Sequence, residues 1–388
     1  MTELCEKIQD DYDITVIAAQ PEGSQKKGIY TKERYRKIKV IRINLPKVIK
    51  TSKLSRIKYV VIYFFLALFA VLRLESNIIF TISSPPILGG AIGAIAKYFK
   101  RAKHIYNIQD FNPEQAEAIT YANNRLLYQI ARFIDNMSCK ISDCIVLVGH
   151  DMEETLRQRF KHKKIPKFVV INNWTDEEEI CPLSKEDEKV QGFLDEYNLR
   201  EKFVVMYSGN LGLYYDLENI IKVTNDLQHQ RDIHFVFVGD GAMKKKMQDY
   251  VKDNKIPNVS FVPFQPKETI KYSLNAADLH LVVNQKGIKG VSVPSKIYGV
   301  MAAGKPILGV LEEGSEARLL IEKSKSGIAV EPNSYREIVQ SILKIYNLPK
   351  IERERMGMNG RRYLETNLRK STSIGKYKDL FRDVLNGY

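Results

Sequence analysis

The stretch Gly290-Val291-Ser292-Val293-Pro294-Ser295-Lys296-Ile297-Tyr298-Gly299-Val300-Met301-Ala302-Ala303-Gly304-Lys305-Pro306 decides how this chain of 388 residues is read. It follows a strand-like apolar run, Leu279 to Val283, through a glycine-punctuated loop. It then opens a short helix of small and apolar residues suited to a crowded core. Ser295 is placed to cap that helix through its hydroxyl. Lys296 falls in the first turn, where the helix dipole disfavours a cation. An anion between that lysine and the unpaired amides of the turn would resolve the conflict, and a diphosphate is such an anion. The plainer alternative is a turn ahead of a buried helix, with Lys296 turned to water.

Outward from this stretch, apolar runs alternate with helix-like segments. In the second half, Phe203 to Tyr207, His234 to Val238, Val259 to Val262, Ile307 to Val310 and Gly327 to Val330 also read as strands. Their following turns carry Gly209-Asn210-Leu211-Gly212, Gly239-Asp240-Gly241 and Pro263-Phe264-Gln265-Pro266. A glycine turn alone is weak evidence for phosphate contact, because tight-turn packing is the commoner reason for it. In the first half, Asp13 to Ala19, Lys37 to Leu45, Ile78 to Ser83, Lys103 to Ile108, Cys144 to Val148 and Phe168 to Ile171 read as strands. A helix is expected from about Asn123 to Ile141. Asp110 lies just past a strand end, where open α/β sheets face their ligand crevice. It could equally cap the helix after Pro113. Residues 175–200 are acidic and irregular and suit a boundary between units. The pattern predicts an α/β protein of two Rossmann-like parallel-sheet domains facing across a cleft, residues 1–182 and 183–365, with a basic helical tail over 366–388.

The composition narrows the partners. Formal net charge is +14, which favours a polyanion: a phosphate-bearing substrate, nucleic acid or an anionic membrane. Residues 21–58 hold 13 Lys or Arg against 2 Glu and run into the apolar segment Tyr59 to Leu72. A basic collar beside an apolar helix suits a protein lying on an anionic membrane surface. A buried helix with a solvated basic face is the alternative. The apolar segment is shorter than the ~18–20 residues that span a bilayer. The first residues do not read as a secretory leader. Four scattered cysteines suggest a reducing compartment and no disulfide framework.

Other chemistries lack their signatures. The six histidines show no metal-ligand spacing, and His280 alternates with apolar residues as a core histidine would. There is no Walker phosphate loop, dinucleotide fingerprint or nucleophile elbow. Nucleic-acid motifs are missing as well, so charge alone would carry that idea.

Taken together, Pro294-Ser295-Lys296, Met301-Ala302-Ala303-Gly304-Lys305-Pro306, Gly209-Asn210-Leu211-Gly212, Val238-Gly239-Asp240-Gly241, Asn275-Ala276-Ala277-Asp278, Gln109-Asp110-Phe111-Asn112-Pro113 and Asn173-Trp174-Thr175-Asp176 resemble strings of glycosyltransferase family 4. These are retaining enzymes of the GT-B fold. More narrowly, the chain looks like bacterial sugar transferases of capsule, O-antigen and colanic-acid assembly, including the N-acetylfucosaminyl transferases.

The resemblance implies a UDP-sugar donor held mainly by the second domain and a lipid-diphosphate-linked saccharide as acceptor, met by the first. Ser295 and Lys296 would bind the diphosphate, with Lys296 acting on the leaving group. Gly209, Asn210, Gly212 and Gly239 would approach phosphate or sugar, and backbone near Phe264 would meet the base. Asp110 would face the transferred sugar or the acceptor. No metal or other cofactor is expected, nor nucleic acid as a partner. The place of work would be the cytoplasmic membrane face, with the C-terminal helix returning to the first domain. Three departures stand out. Asn210 and Tyr215 occupy places comparable to an Arg and a Lys in many members, leaving more of the diphosphate charge to Lys296. Gly299 stands where a ribose-binding glutamate is expected. A strand and glycine loop ahead of residue 1 are missing from the chain as written. A non-catalytic scaffold of polysaccharide assembly is the alternative reading.

Overall fold

The structure is a computed structural model that describes residues 1–21, 28–47, 53–119 and 125–387. Part of the basic run, residues 22–27 and 48–52, lies outside the described residues, as does the expected helix start at Asn123. The first half runs α1 (Thr2–Ile8), β1 (Thr15–Ala19), β2 (Tyr30–Tyr35), β3 (Ile38–Ile43), α2 (Lys53–Arg73), β4 (Ile78–Ile82) and α3 (Leu88–Lys100). It continues with β5 (Lys103–Ile108), α4 (Glu114–Ala118), α5 (Arg125–Ile141), β6 (Cys144–Leu147), α6 (Met152–Arg159) and β7 (Phe168–Val170). The second half opens with α7 (Glu188–Glu196), β8 (Phe203–Ser208), α8 (Leu217–Asp226), β9 (Ile233–Val238), α9 (Lys244–Asp253), β10 (Val259–Val262), α10 (Ile270–Ala276) and β11 (Leu279–Val283). There follow α11 (Lys296–Ala302), β12 (Ile307–Val310), α12 (Glu316–Ser324), β13 (Gly327–Val330), α13 (Tyr335–Tyr346), α14 (Lys350–Asn367) and α15 (Lys370–Asn386).

The second sheet is six-stranded in the order β10-β9-β8-β11-β12-β13, with every pairing parallel. Its central strands are continuous apolar runs because helices cover both faces. Tyr207, Phe235, Phe237 and Leu281 pack toward α8 and α13 on one side, while Val204, Met206 and Val236 meet α7 on the other. From β8 the chain winds one way through β9 and β10, then returns to β11 on the opposite side. That reversal places a crevice at the carboxyl ends of β8 and β11.

The first half carries a four-stranded parallel sheet, β4-β5-β6-β7, and a three-stranded sheet, β1-β3-β2. In the latter β1 and β3 are parallel, and β2 closes the edge antiparallel to β3. β2 is a correction to the sequence reading, which took this region as a basic run. Its sequence, YTKERY, is polar because most of the strand faces solvent. α15 crosses onto the first half, where Tyr377 and Phe381 join Leu4, Ile105 and Val146 in one buried cluster. Asn107 Nδ2 donates to the Tyr377 hydroxyl at 2.6 Å within it.

Candidate active site

The crevice is built from two interlocked glycine turns. Gly209 follows β8 with φ +145°, and Gly239 follows β9 with φ +137°. A Cβ on Gly239 would stand 2.0 Å from the Gly209 carbonyl oxygen, so only glycine lets these turns approach. The Gly209 amide donates to Val238 O at 2.9 Å and the Leu211 amide to Asp240 O at 2.8 Å. Asn210 is exposed, with its amide group beside the backbones of Gly212 and Gly241. Phe264, past β10, is 58% exposed and presents its ring edge toward Gly239.

Lys296 opens α11 and turns back over the Gly209 turn. A Cβ on Gly209 would lie 3.3 Å from Lys296 Cε and 3.7 Å from Nζ. The residue is half-buried, and its ammonium faces inward, 3.8 Å from the Tyr207 ring centroid and 4.0 Å from that of Tyr215. It donates to the Tyr207 hydroxyl, which in turn donates to the Asn210 carbonyl at 2.9 Å. Burial holds the Lys296 pKa well below its ordinary value, and no carboxylate among the described residues counters it. Two aromatic faces stabilise a cation by about 0.5–2 kcal/mol each, less than a desolvated ammonium needs. An anionic ligand would supply the rest.

Ser295 departs from expectation. It occupies the N-cap position of α11, but its backbone is helical (φ −58°, ψ −18°) and its hydroxyl makes no cap bond. An effective cap needs extended backbone to swing the oxygen over the following amides. Instead Ser295 is exposed, and the amides of Ile297 and Tyr298 donate to the carbonyls of Pro294 and Ser295 at 3.1 and 3.2 Å. The opening amides expected to meet a phosphate are thus partly satisfied within the turn.

Asp110 comes to the same place from the first half. Its backbone bridges to Ser292, and the Phe111 amide donates to Val291 O at 2.9 Å. Ser292 and Gln115 hydrogen-bond its carboxyl, yet burial keeps the pKa above the usual carboxylate value. The Tyr215 phenol is raised by burial and by the Asp110 charge, so Tyr215 feels Asp110 while its ring meets the Lys296 ammonium. Val291 and Val293 pack among Phe111, Met152 and Leu156. Glu312 pins the loop ahead of them, accepting from the amides of Gly287, Ile288 and Lys289 at 2.8–3.0 Å. Asp151 and Glu316 complete the junction: Asp151 Oδ2 accepts from the Gly290 and Glu316 amides, and Glu316 Oε2 from that of His150.

The sequence-derived residues Gly209, Asn210, Gly212, Gly239 and Lys296 therefore share one crevice, with Asp110 at its first-half rim and Phe264 on its outer edge. Tyr207, Asp151, Glu312 and Glu316 were not singled out as site residues in advance, and Tyr215 was named only as a departure from the charged residues of the resembling family. Among the described residues, no group of three or more His, Cys, Asp and Glu side chains could hold a metal ion. His280 is a core histidine, its ring bonded to Leu274 O at 2.9 Å and its pKa lowered to about 4 by burial.

Comparison with known proteins fits this geometry. Across the whole chain, the architecture superposes on sucrose-phosphate synthase from Thermosynechococcus elongatus, with TM-score 0.79, 14% identity and 92% of that chain covered. It also superposes on an Escherichia coli trehalose-6-phosphate protein solved with UDP-2-fluoro glucose (TM-score 0.73, 12% identity, all of this chain and 95% of that one). The fold is GT-B.

Within this GT-B chain, residues 193–363 match the family described as glycosyl transferases group 1. Glycosyltransferase WbjE of Pseudomonas aeruginosa is 26% identical over 293 residues, 75% of this chain and 71% of its own length. The colanic acid biosynthesis glycosyl transferase WcaI of Escherichia coli K12 is 27% identical over 208 residues, 52% of this chain and half of its own length. Anabaena HepE, solved with UDP, shares the fold at TM-score 0.66 and 14% identity over 89% of this chain and 86% of its own. These matches support a glycosyltransferase.

Proposed function

We propose that the protein is a retaining glycosyltransferase. It moves a sugar, an N-acetylated amino sugar on the family resemblance of the motifs above, from a UDP-sugar to a lipid-diphosphate-linked saccharide in surface polysaccharide assembly at the cytoplasmic membrane face. The observation that carries this reading is the inward-facing Lys296 ammonium set against the Gly209 turn at the strand-order reversal. The names of WbjE and WcaI support sugar transfer in polysaccharide biosynthesis, and the UDP solved with HepE supports the donor class.

In the transfer, the bond from the anomeric carbon to the diphosphate oxygen breaks as the acceptor hydroxyl oxygen bonds to the same face of that carbon. The acceptor proton passes to the departing phosphate oxygen. Lys296 stabilises the charge that develops on the leaving diphosphate, already oriented by two tyrosine rings before reaction. Gly209 and Gly239 allow backbone to approach the phosphates. Asp110 orients the sugar or acceptor from the opposite rim, and Phe264 flanks the base. No step needs a metal ion.

Incubation with a panel of sugar nucleotides tests this reading by the UDP released. Lys296→Ala should lower turnover about 10²–10³-fold with an unchanged circular dichroism spectrum. Wild-type turnover in that variant would remove Lys296 from the site. A second reading, a non-catalytic scaffold, is favoured by the engagement of Asp110 with Ser292 and Gln115 and by Gly299 in place of a glutamate. A folded sample that releases no UDP from any sugar nucleotide would support it.

A further inference from the structure

We propose that α2, α3 and α5 form one membrane-docking face, an apolar ridge with a basic rim that seats in the interface of an anionic bilayer. The inference deepens the reading of a lipid-linked acceptor by naming the surface that reaches it, and its observations are separate from the donor crevice.

α5 is turned with its apolar stripe outward. Its buried residues are Asp135, Ser138 and Cys139. Its large apolar side chains Leu126, Leu127, Ile130, Phe133, Ile134 and Met137 are exposed. Asp135 is paired inside with Arg159, and the Tyr106 hydroxyl donates to it at 2.8 Å. A helix of a water-soluble surface has the opposite polarity.

α2 repeats the pattern on one stripe. Leu54, Ile57, Val61, Phe65 and Phe69 recur at three- or four-residue spacing and are exposed, while Ala67 and Ala70 are buried beneath them. α3 packs against both α2 and α5. It ends in Tyr98 and Phe99, 80% and 69% exposed. Between α3 and α5 runs an apolar groove of about 320 Å³, bordered by Ile95, Phe99, Phe133, Met137 and Ile141. Contiguous exposed apolar surface of this kind marks a binding face rather than ordinary surface scatter.

The charge selects the occupant. The three helices hold nine Lys and Arg residues against one carboxylate, the inward-facing Asp135. Lys58, Arg73, Arg125 and Lys140 are exposed at the rim, and the Arg73 guanidinium lies 3.9 Å from the Phe69 ring centroid. Apolar and aromatic side chains ringed by cations match the acyl boundary and headgroups of an anionic lipid surface. Among the described residues, no helix is long and apolar enough to cross a membrane, so the face would lie on the bilayer. The sequence placed any membrane contact at residues 21–72; the structure extends the surface to α3 and α5.

The test is co-sedimentation of the full chain with phosphatidylcholine vesicles, with and without phosphatidylglycerol, at low and high salt. Wild type should pellet with the anionic vesicles, less so with neutral ones, and less as salt rises. Phe99→Glu with Phe133→Glu should reduce the bound fraction about tenfold while the melting temperature holds. Phe65→Glu serves as a second probe on α2. Wild type left in the supernatant with anionic vesicles, or the charged variants pelleting like wild type, would overturn the proposal. So would a salt-insensitive dimer that these variants split without any vesicle binding, because the face would then join two copies. UDP release without vesicles reads the donor site independently. Vesicle binding with no turnover would remove the transferase reading and leave this face standing; turnover with no vesicle binding would do the reverse.

Discussion

Asp151 and Glu316 exchange side-chain-to-backbone hydrogen bonds across the junction of the two halves. Asp151 Oδ2 accepts from the Glu316 amide at 3.0 Å at the start of α12, and Glu316 Oε2 accepts from the His150 amide at 2.8 Å just ahead of α6. Asp151 thus meets the positive end of α12. Asp151 also takes the Gly290 amide at 3.1 Å, which ties the loop before Lys296 to the same pair.

Removing one member should loosen the junction more than it loosens either half. A lost hydrogen bond of this kind costs at least about 1 kcal/mol, and Asp151→Ala also leaves the Gly290 amide without this acceptor. Amide hydrogen exchange should quicken over residues 149–153 and 287–293, with β8 to β10 unchanged. Uniform exchange across the chain, or none gained at the junction, would show that the pair does not hold the halves together.

Asp110 makes stability depend on pH in a defined direction. Burial raises its pKa in the folded state. The ionised carboxylate is therefore penalised by folding, and the protonated form is not. Its contribution is most favourable below the ordinary carboxylate pKa of about 4 and is lost as pH rises from there through the raised value. Asp110→Asn escapes this penalty and retains hydrogen-bonding groups for Ser292 and Gln115. Its melting temperature relative to wild type should climb across that window and level off above it. A difference that stays flat with pH would show that Asp110 does not titrate under burial.

Lys296 should take up a proton when a nucleoside diphosphate binds. Burial depresses its pKa in the unliganded protein. A diphosphate beside it favours the charged form and raises that pKa again. Between the two values binding draws a proton from buffer, an uptake visible by calorimetry with UDP in buffers of different ionisation enthalpy. Lys296→Met should abolish the buffer dependence as well as weaken binding. Equal enthalpies in all buffers for wild type would mean that the ammonium does not meet the phosphates.

What the sequence revealed follows from the range of each interaction. β8, β9 and β11 were legible because strands buried on both faces must be continuous apolar runs. Lys296 drew attention because a cation in a first helical turn conflicts with the dipole, but only the family resemblance of the Pro294-Ser295-Lys296 turn set the inward reading above a lysine turned to water. Tyr207 was not legible, since an aromatic residue on a buried strand reads as core until its ring is seen beside an ammonium. Asp151 and Glu316 are 165 residues apart, and no local pattern joins them. α5 showed its period, but periodicity does not say which stripe faces inward, and here Asp135 took the inside through Arg159.

Gly299 offers a gain rather than a loss. It lies on α11, where the resembling family carries a glutamate, and a Cβ there would meet only Leu274 Cδ1, at 3.7 Å, an ordinary contact. Within a helix, glycine is less favourable than other residues by up to about 1 kcal/mol, so Gly299→Glu should fold with an unchanged or slightly raised melting temperature. If Lys296 meets the diphosphate, the family resemblance implies that the ribose hydroxyls lie within reach of this position, and a carboxylate there would accept their hydrogen bonds. A charged hydrogen bond contributes about 1.5–3 kcal/mol, so UDP should bind about tenfold more tightly. Deoxyuridine diphosphate analogues lacking the ribose hydroxyls should gain nothing. Equal gains for both nucleotides would place the new carboxylate elsewhere, and no gain for either would separate Gly299 from the nucleotide altogether.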